Sequence, residues 1–185
     1  MIELSAAIRP DVLLRPVRQE DSRALCRAYL RNRDHLRPWE PRRGADFFTD
    51  AGQAARLRAQ LEQREAGRLV PWVLDRDGEI IGGVTLSNVS LGPFRSANLG
   101  YWIDAAHMGQ GLATAAVDLA CQAADDHLRL HRVEAGTVLE NAASQRVLAK
   151  SGFDLIGEAS RYLHIDGEWR DHLLFQRILN DRHPA

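Results

Sequence analysis

Two glycines one residue apart, in HMGQGLATAA (107–116), stand where a strand-like segment hands over to an alanine-rich, helix-like one. Glycine tolerates left-handed backbone and lets the main chain approach a neighbour closely. A helix start offers N–H groups that no carbonyl of the same helix can receive. Strand, glycine turn and helix in that order imply an α/β arrangement in which the turn holds an anion against the positive end of the helix dipole. The anion expected is a phosphate. Neither common nucleotide signature fits: G-x-x-x-x-G-K-S/T is absent, and G-x-G-x-x-G fails because position 114 is threonine. A glycine turn also arises for steric reasons alone, so the turn does not define its ligand.

The rest of the chain alternates in the same way. VLLRPV (12–17) predicts a strand. EDSRALCRAYLRNRDHL (20–36) predicts a helix capped at Asp21, with Leu25, Tyr29 and Leu30 on its apolar side. RPWEPRRG (37–44) carries two prolines and predicts a loop, followed by a helix over TDAGQAARLRAQLEQRE (49–65) capped at Thr49 or Asp50. RLVPWVLD (68–75) and EIIGGVTLSNV (79–89) flank RDG (76–78) as a hairpin. ANLGYWID (97–104) predicts a strand with Leu99, Tyr101 and Ile103 on one face. A helix from Gly111 to His127, a strand over HRVEAGTVL (131–139), a helix stopped by Gly152, and two strands around Asp166 and Gly167 complete the order. Repeats, low-complexity stretches and linkers are absent, and 185 residues suit one domain.

The formal net charge of −1 argues against a general nucleic-acid or membrane-surface binder. All but one of the 24 basic residues are arginines, the exception being Lys150; phosphate recognition and genomic codon bias both account for this. Cys26 and Cys121 fall in helix-like patterns without a metal or redox partner beside them and predict buried thiols. The N-terminus carries no signal-like pattern, and the expected location is the cytoplasm. His127 and His131 have i, i+4 spacing, but no glutamate follows the first and no third ligand is in view, so no metal is expected.

MGQGLA (108–113), followed by NAASQRVLAKSGF (141–153), resembles the GNAT acyl-CoA N-acyltransferases, whose pyrophosphate loop reads Arg/Gln-x-x-Gly-x-Gly/Ala. RPWEP (37–41), LSNV (86–89), LGYWI (99–103) and YLHIDGEWRDHLL (162–174) are similar to the RimJ type of ribosomal-protein-alanine N-acetyltransferase, over roughly residues 12 to 179. The resemblance implies a single GNAT domain over 1–185, with a central twisted mixed sheet of about six or seven strands flanked by helices. A splayed strand pair would hold acetyl-CoA. Met108, Gly109, Gln110, Gly111, Leu112, Ala113 and Thr114 would wrap its pyrophosphate. Ile103 would offer backbone hydrogen bonds to the pantetheine arm, Asn141 would contact the cofactor, and Ser144 would face the thiol. Two positions depart from the family: Met108 stands where Arg or Gln is usual, and Arg161 stands where this branch has an acidic residue.

Acetyl transfer from a thioester needs a neutral amine, a polarised carbonyl and a proton for the leaving thiolate. An α-amine is roughly a tenth neutral at pH 7, whereas a lysine is neutral about four times in ten thousand. Ser144 is the candidate proton donor, although N-x-x-S is also a helix cap. Tyrosine, the acid of other GNAT branches, is replaced by Leu148. Glu134 and Glu40 are the candidate bases, acting through water, each with an ordinary structural alternative. Trp39 and Glu40 could wall a cationic amine, and Trp169 on the second hairpin could meet a peptide. Arg170 and Asp171 could pair with each other.

The expected activity is direct acetylation, in a ternary complex, of a primary amine, chiefly the N-terminal amine of a protein such as a ribosomal protein. The enzyme would be a monomer or homodimer. Three alternatives stay open. One is acetylation of a small amine (an aminoglycoside, polyamine or amino acid) in a carboxylate-lined pocket. The others are a non-enzymatic acyl-CoA sensor and a nucleotide-binding module.

Overall fold

The computed structural model describes residues 4–184. Among them are eight strands: β1 (Ala6–Arg9), β2 (Val12–Pro16), β3 (Val70–Arg76), β4 (Glu79–Ser90), β5 (Ser96–Ile103), β6 (Arg132–Val138), β7 (Asp154–Ile165) and β8 (Glu168–Ile178). They form one sheet in the order β1-β2-β3-β4-β5-β6-β8-β7. Every neighbouring pair is antiparallel except β5 and β6, which are parallel. The helices are α1 (Ser22–Arg31), α2 (Arg33–Leu36), α3 (Asp50–Glu65), α4 (Leu112–Asp126) and α5 (Ala142–Lys150).

Alternation along β5 divides the molecule. Leu99, Tyr101 and Ile103 pack with α4 and α5, where Leu112, Ala116, Ala120, Ala124 and Leu148 are buried. Trp102 points the other way, into the second core with Tyr29, Leu36 and Leu57 from α1, α2 and α3. The small residues along α4 bring its axis close to the sheet, and burying Leu112 at its first turn contributes about 1.5–3 kcal/mol.

Three expectations are corrected. The sheet has eight strands rather than six or seven, because the short β1 pairs with β2, Ala6 opposite Leu14. Helix 20–36 is two helices that break at Asn32. Its buried amide donates to Ala28 O (2.9 Å) and Asp104 Oδ2 (2.8 Å), and its oxygen receives Ala105 N–H. This pins the helix end to the end of β5. Asp21 makes no side-chain cap on α1; its carboxylate is spent on Arg15 (2.8 Å) and on Arg18 N–H (2.7 Å). Thr49 caps α3 as expected, receiving Gly52 N–H.

Candidate active site

The parallel pair β5/β6 is joined only at its start, through Ser96–Arg132, Ala97–Val133 and Asn98–Glu134. Beyond these residues each strand stays paired to its other neighbour, β5 to β4 as far as Ile103 and β6 to β8 as far as Val138. The facing edges therefore diverge and leave main-chain groups unpaired. Asp104 N–H donates to Ile81 O (2.9 Å), so Asp104 and Ile81 form a hydrogen-bonded pair. Ile103, one residue earlier, turns its own N–H and C=O away from β4 and into the opening. An extended amide chain can bond there as an added strand would.

The glycine turn lies beyond the end of β5. Gly109 and Gly111 have φ of 71° and 77°, and a Cβ on either would meet nothing within 4 Å. Left-handed backbone, not crowding, is why these positions are glycine. Gly111 is the N-cap of α4 and supplies no side-chain acceptor, so the first-turn N–H groups of Leu112, Ala113 and Thr114 stay available to an anion. This donor set fits a pyrophosphate. Met108 is half exposed. Arg9 on β1 donates to the carbonyl of Gln110, placing a guanidinium on this loop although Met108 brings no charge.

Opposite the loop, Asn141 caps α5, its Oδ1 receiving Ser144 N–H at 3.0 Å. The cap holds Ser144 in the first turn, with Oγ 2.7 Å from the hydroxyl of Tyr101. Tyr101 thus spans from β5 to α5. Burial pushes its phenol up to about 12, against the hydrogen bond to Ser144, so it holds its proton at neutral pH. Tyr101 shares the face of Leu99 and Ile103, as the alternation of β5 predicts, and its hydroxyl partner is set by the packing of α5 against β5.

On the other face lies a cavity of about 550 Å³, whose lining includes Tyr29, Phe47, Phe48, Glu40 and Asp166 together with Arg33, Arg37, Arg42 and Arg43. RPWEP and the second hairpin meet here, through Asp166 N–H to Glu40 O (3.1 Å) and an Arg37–Asp166 ion pair (3.7 Å). Burial raises the Glu40 carboxyl, while Arg43 and Arg56 pull it down. Trp39 is partly exposed and outside the lining. Trp169 is exposed and packs edge to face with His164, ring centroids 5.5 Å apart. Glu134 is tied to Arg132. Arg170 pairs with Glu140 (2.9 Å) rather than with Asp171, which receives Arg161 N–H (2.7 Å). Arg161 is exposed on a left-handed bulge of β7.

Cys26 and Cys121 are free and buried, as expected, and burial pushes the Cys121 thiol up to about 11. His131 Nδ1 bonds Asn180 O. No helix among the described residues is long and apolar enough to cross a membrane.

Residues 11–154 match the acetyltransferase (GNAT) domain family. The chain is 37% identical over 176 residues to the ribosomal protein uS5-alanine N-acetyltransferase of Escherichia coli, covering 94% of this chain and 91% of that protein. The crystal structure of the ribosomal-protein-S5-alanine acetyltransferase of Vibrio fischeri superposes with a TM-score of 0.93 at 33% identity, covering 98% of this chain and all of that one. Mycobacterium smegmatis RimJ, solved in complex with CoA-disulfide, superposes with a TM-score of 0.86 at 39% identity, over 90% of this chain and 81% of that one. The chain belongs to the GNAT acetyltransferase family.

Proposed function

We propose that this acetyltransferase modifies the N-terminal α-amine of a protein, an alanine-starting ribosomal protein being the favoured class. One observation carries the reading: β5 presents Tyr101 to Ser144 on one face and Trp102 to Tyr29, a wall of the aromatic cavity, on the other, ring centroids 5.0 Å apart. An acceptor seated in the cavity and a thioester lying in the opening would meet across a single strand. The relatives that act on ribosomal-protein alanine support the choice of acceptor.

The residues divide the work. The first turn of α4 and the glycine loop hold the pyrophosphate of acetyl-CoA, and the free edge at Ile103 aligns its pantetheine arm. Ser144 Oγ donates to the departing thiolate and is resupplied by Tyr101, which stays protonated at neutral pH. Glu40 pairs with the approaching amine inside an aromatic wall. Transfer is direct, because the buried Cys121 thiol is held far from its reactive form. Four arginines beside the carboxylates of the cavity disfavour a polycation such as an aminoglycoside or polyamine. An α-amine, neutral far more often than lysine, suits a site with little else to deprotonate it.

The test is N-terminal mass spectrometry of ribosomal proteins from cells with and without the gene. Loss of acetyl from an N-terminal alanine is expected; an unchanged set of N-termini contradicts the acceptor assignment.

A further inference from the structure

The acceptor amine must lose a proton as it attacks, and neither glutamate candidate is free to take it: Glu134 is tied to Arg132, and Glu40 pairs with Arg43 (3.6 Å). A better-placed group stands on β8. His172 is 4% exposed and pairs with Val138, the last residue of β6, at the open end of the splayed strands. Its face is fixed by alternation. Phe175 and Leu173 pack with α4 and α5, so His172 and Leu174 point to the acceptor side.

Gly136 confirms the placement. A Cβ there would lie 3.6 Å from His172 Cδ2 and 3.6 Å from Tyr162 Cε1. Cδ2 is the ring atom bonded to Nε2, so the edge carrying Nε2 is turned toward β6. The opposite nitrogen, Nδ1, is 3.0 Å from the carbonyl oxygen of Arg170. A carbonyl only accepts, so Nδ1 carries the proton and the neutral ring presents a lone pair at Nε2. Among the described residues Nε2 has no hydrogen-bond partner. Tyr162 packs against the ring, centroids 5.4 Å apart, and holds its plane.

We propose that His172 is the general base that accepts the acceptor amine's proton at Nε2. The proposal rests on the acetyl-transfer reading. The neutral amine nitrogen forms a bond to the thioester carbonyl carbon, and the carbon–sulfur bond breaks. One amine proton passes to Nε2, directly or through one water, and Ser144 gives its hydroxyl proton to the sulfur. Ser144 regains a proton from Tyr101, which takes one up from solvent, and the imidazolium returns the extra one to solvent. The products are an N-acetyl amine and CoA thiol, with no net change in protons.

The other ionisable groups on this face include Tyr162 and Asp154 from β7, Glu168 and Arg170 from β8, the latter paired with Glu140, and Glu134 from β6, paired with Arg132.

The test uses the full chain, acetyl-CoA and a lysine-free peptide with a free N-terminal alanine. His172→Asn keeps a donor for the Arg170 carbonyl and removes the lone pair; His172→Gln is its partner variant. Both should lower kcat/KM by about 10²-fold or more and lose the acidic limb of its pH profile, with acetyl-CoA affinity and Tm retained. Added imidazole should restore part of the rate. Activity within about threefold of wild type, or a retained acidic limb, overturns the assignment to His172 while leaving acetyl transfer intact. Wild-type protein that binds acetyl-CoA but acetylates no amine fails the acetyl-transfer reading and the base together. If neither variant folds, nitrogen-15 NMR of the wild-type imidazole decides. Nδ1 protonated supports the base, and Nε2 protonated in the neutral form overturns it.

Discussion

The hydroxyl of Tyr101 lies 2.7 Å from Ser144 Oγ, joining the diverging strand β5 to the first turn of α5. The pair connects two parts of the site that the chain supplies 43 residues apart. Neither residue titrates usefully alone. The serine is too weak an acid to give up a proton without resupply, and burial holds the tyrosine protonated.

Replacing the two should therefore show coupling. Ser144→Ala is expected to lower kcat by about 10²-fold, the lower range for a positioned proton donor. Tyr101→Phe should lower it about tenfold, the worth of one hydrogen bond of about 1.4 kcal/mol. The double variant should resemble Ser144→Ala alone, since the residues act as a unit. Steady-state kinetics at saturating acetyl-CoA measures this; strictly multiplicative losses contradict a shared path.

The cavity carboxylate makes a second prediction. Burial raises Glu40 in the folded chain, against the pull of Arg43 and Arg56, so folding makes this carboxyl harder to ionise. Its contribution to stability is present below its unfolded pKa and is lost as pH rises through the folded value. Glu40→Gln should leave Tm at pH 7 unchanged or higher, and should raise the acceptor KM about tenfold through the lost charge pair, with smaller effect on kcat. A fall in Tm with unchanged KM would make Glu40 structural.

Asp104 has the opposite sign. Burial opposes its charge, but hydrogen bonds from Asn32, Ala106 N–H and Arg31 outweigh it and hold the carboxyl below the usual range. Stability from this group is present above its unfolded pKa and is lost as pH falls through the folded one. Asp104→Asn should cost about 1–2 kcal/mol at pH 7, by removing the carboxylate that Arg31 and Asn32 donate to while Arg31 keeps Glu79 and the Ile80 carbonyl, and less in acid. Urea unfolding at both pH values checks it.

The loop offers a fourth. Gly111→Ala forces a side chain into left-handed backbone at about 1–2 kcal/mol and should weaken acetyl-CoA binding without altering kcat at saturation. Arg9→Ala should weaken binding as well, more at low salt than at high salt, because its charge is exposed. Isothermal titration with CoA at two ionic strengths separates the two.

How much of this was legible in the sequence depends on whether the information was local. The glycine turn, the Thr49 cap and the alternation that set Tyr101 against Trp102 follow from spacing within a few residues, and all hold. What failed was set by distant partners. β1 is four residues long and exists only because β2 pairs with it. Asp21 is a good cap by type, but Arg15 and Arg18 N–H claim it. The helix through Asn32 looks continuous in the sequence until Asp104, 72 residues away, takes its amide. The cavity joins residues 29–48 to Asp166, and the orientation of His172 depends on β6 and β7; neither was readable from spacing.

On the proposed reading, this chain moves acetyl to an N-terminal α-amine. Mass spectrometry of three acceptors mixed with acetyl-CoA tests it most directly: a lysine-free peptide with a free N-terminal alanine, the N-blocked peptide with an internal lysine, and a panel of small amines. A single 42-dalton gain, the difference between acetyl and the hydrogen it replaces, is predicted on the first alone, at about the mass set by covalent chemistry. Modification of only the lysine peptide or only the small amines, with CoA binding intact, would contradict it.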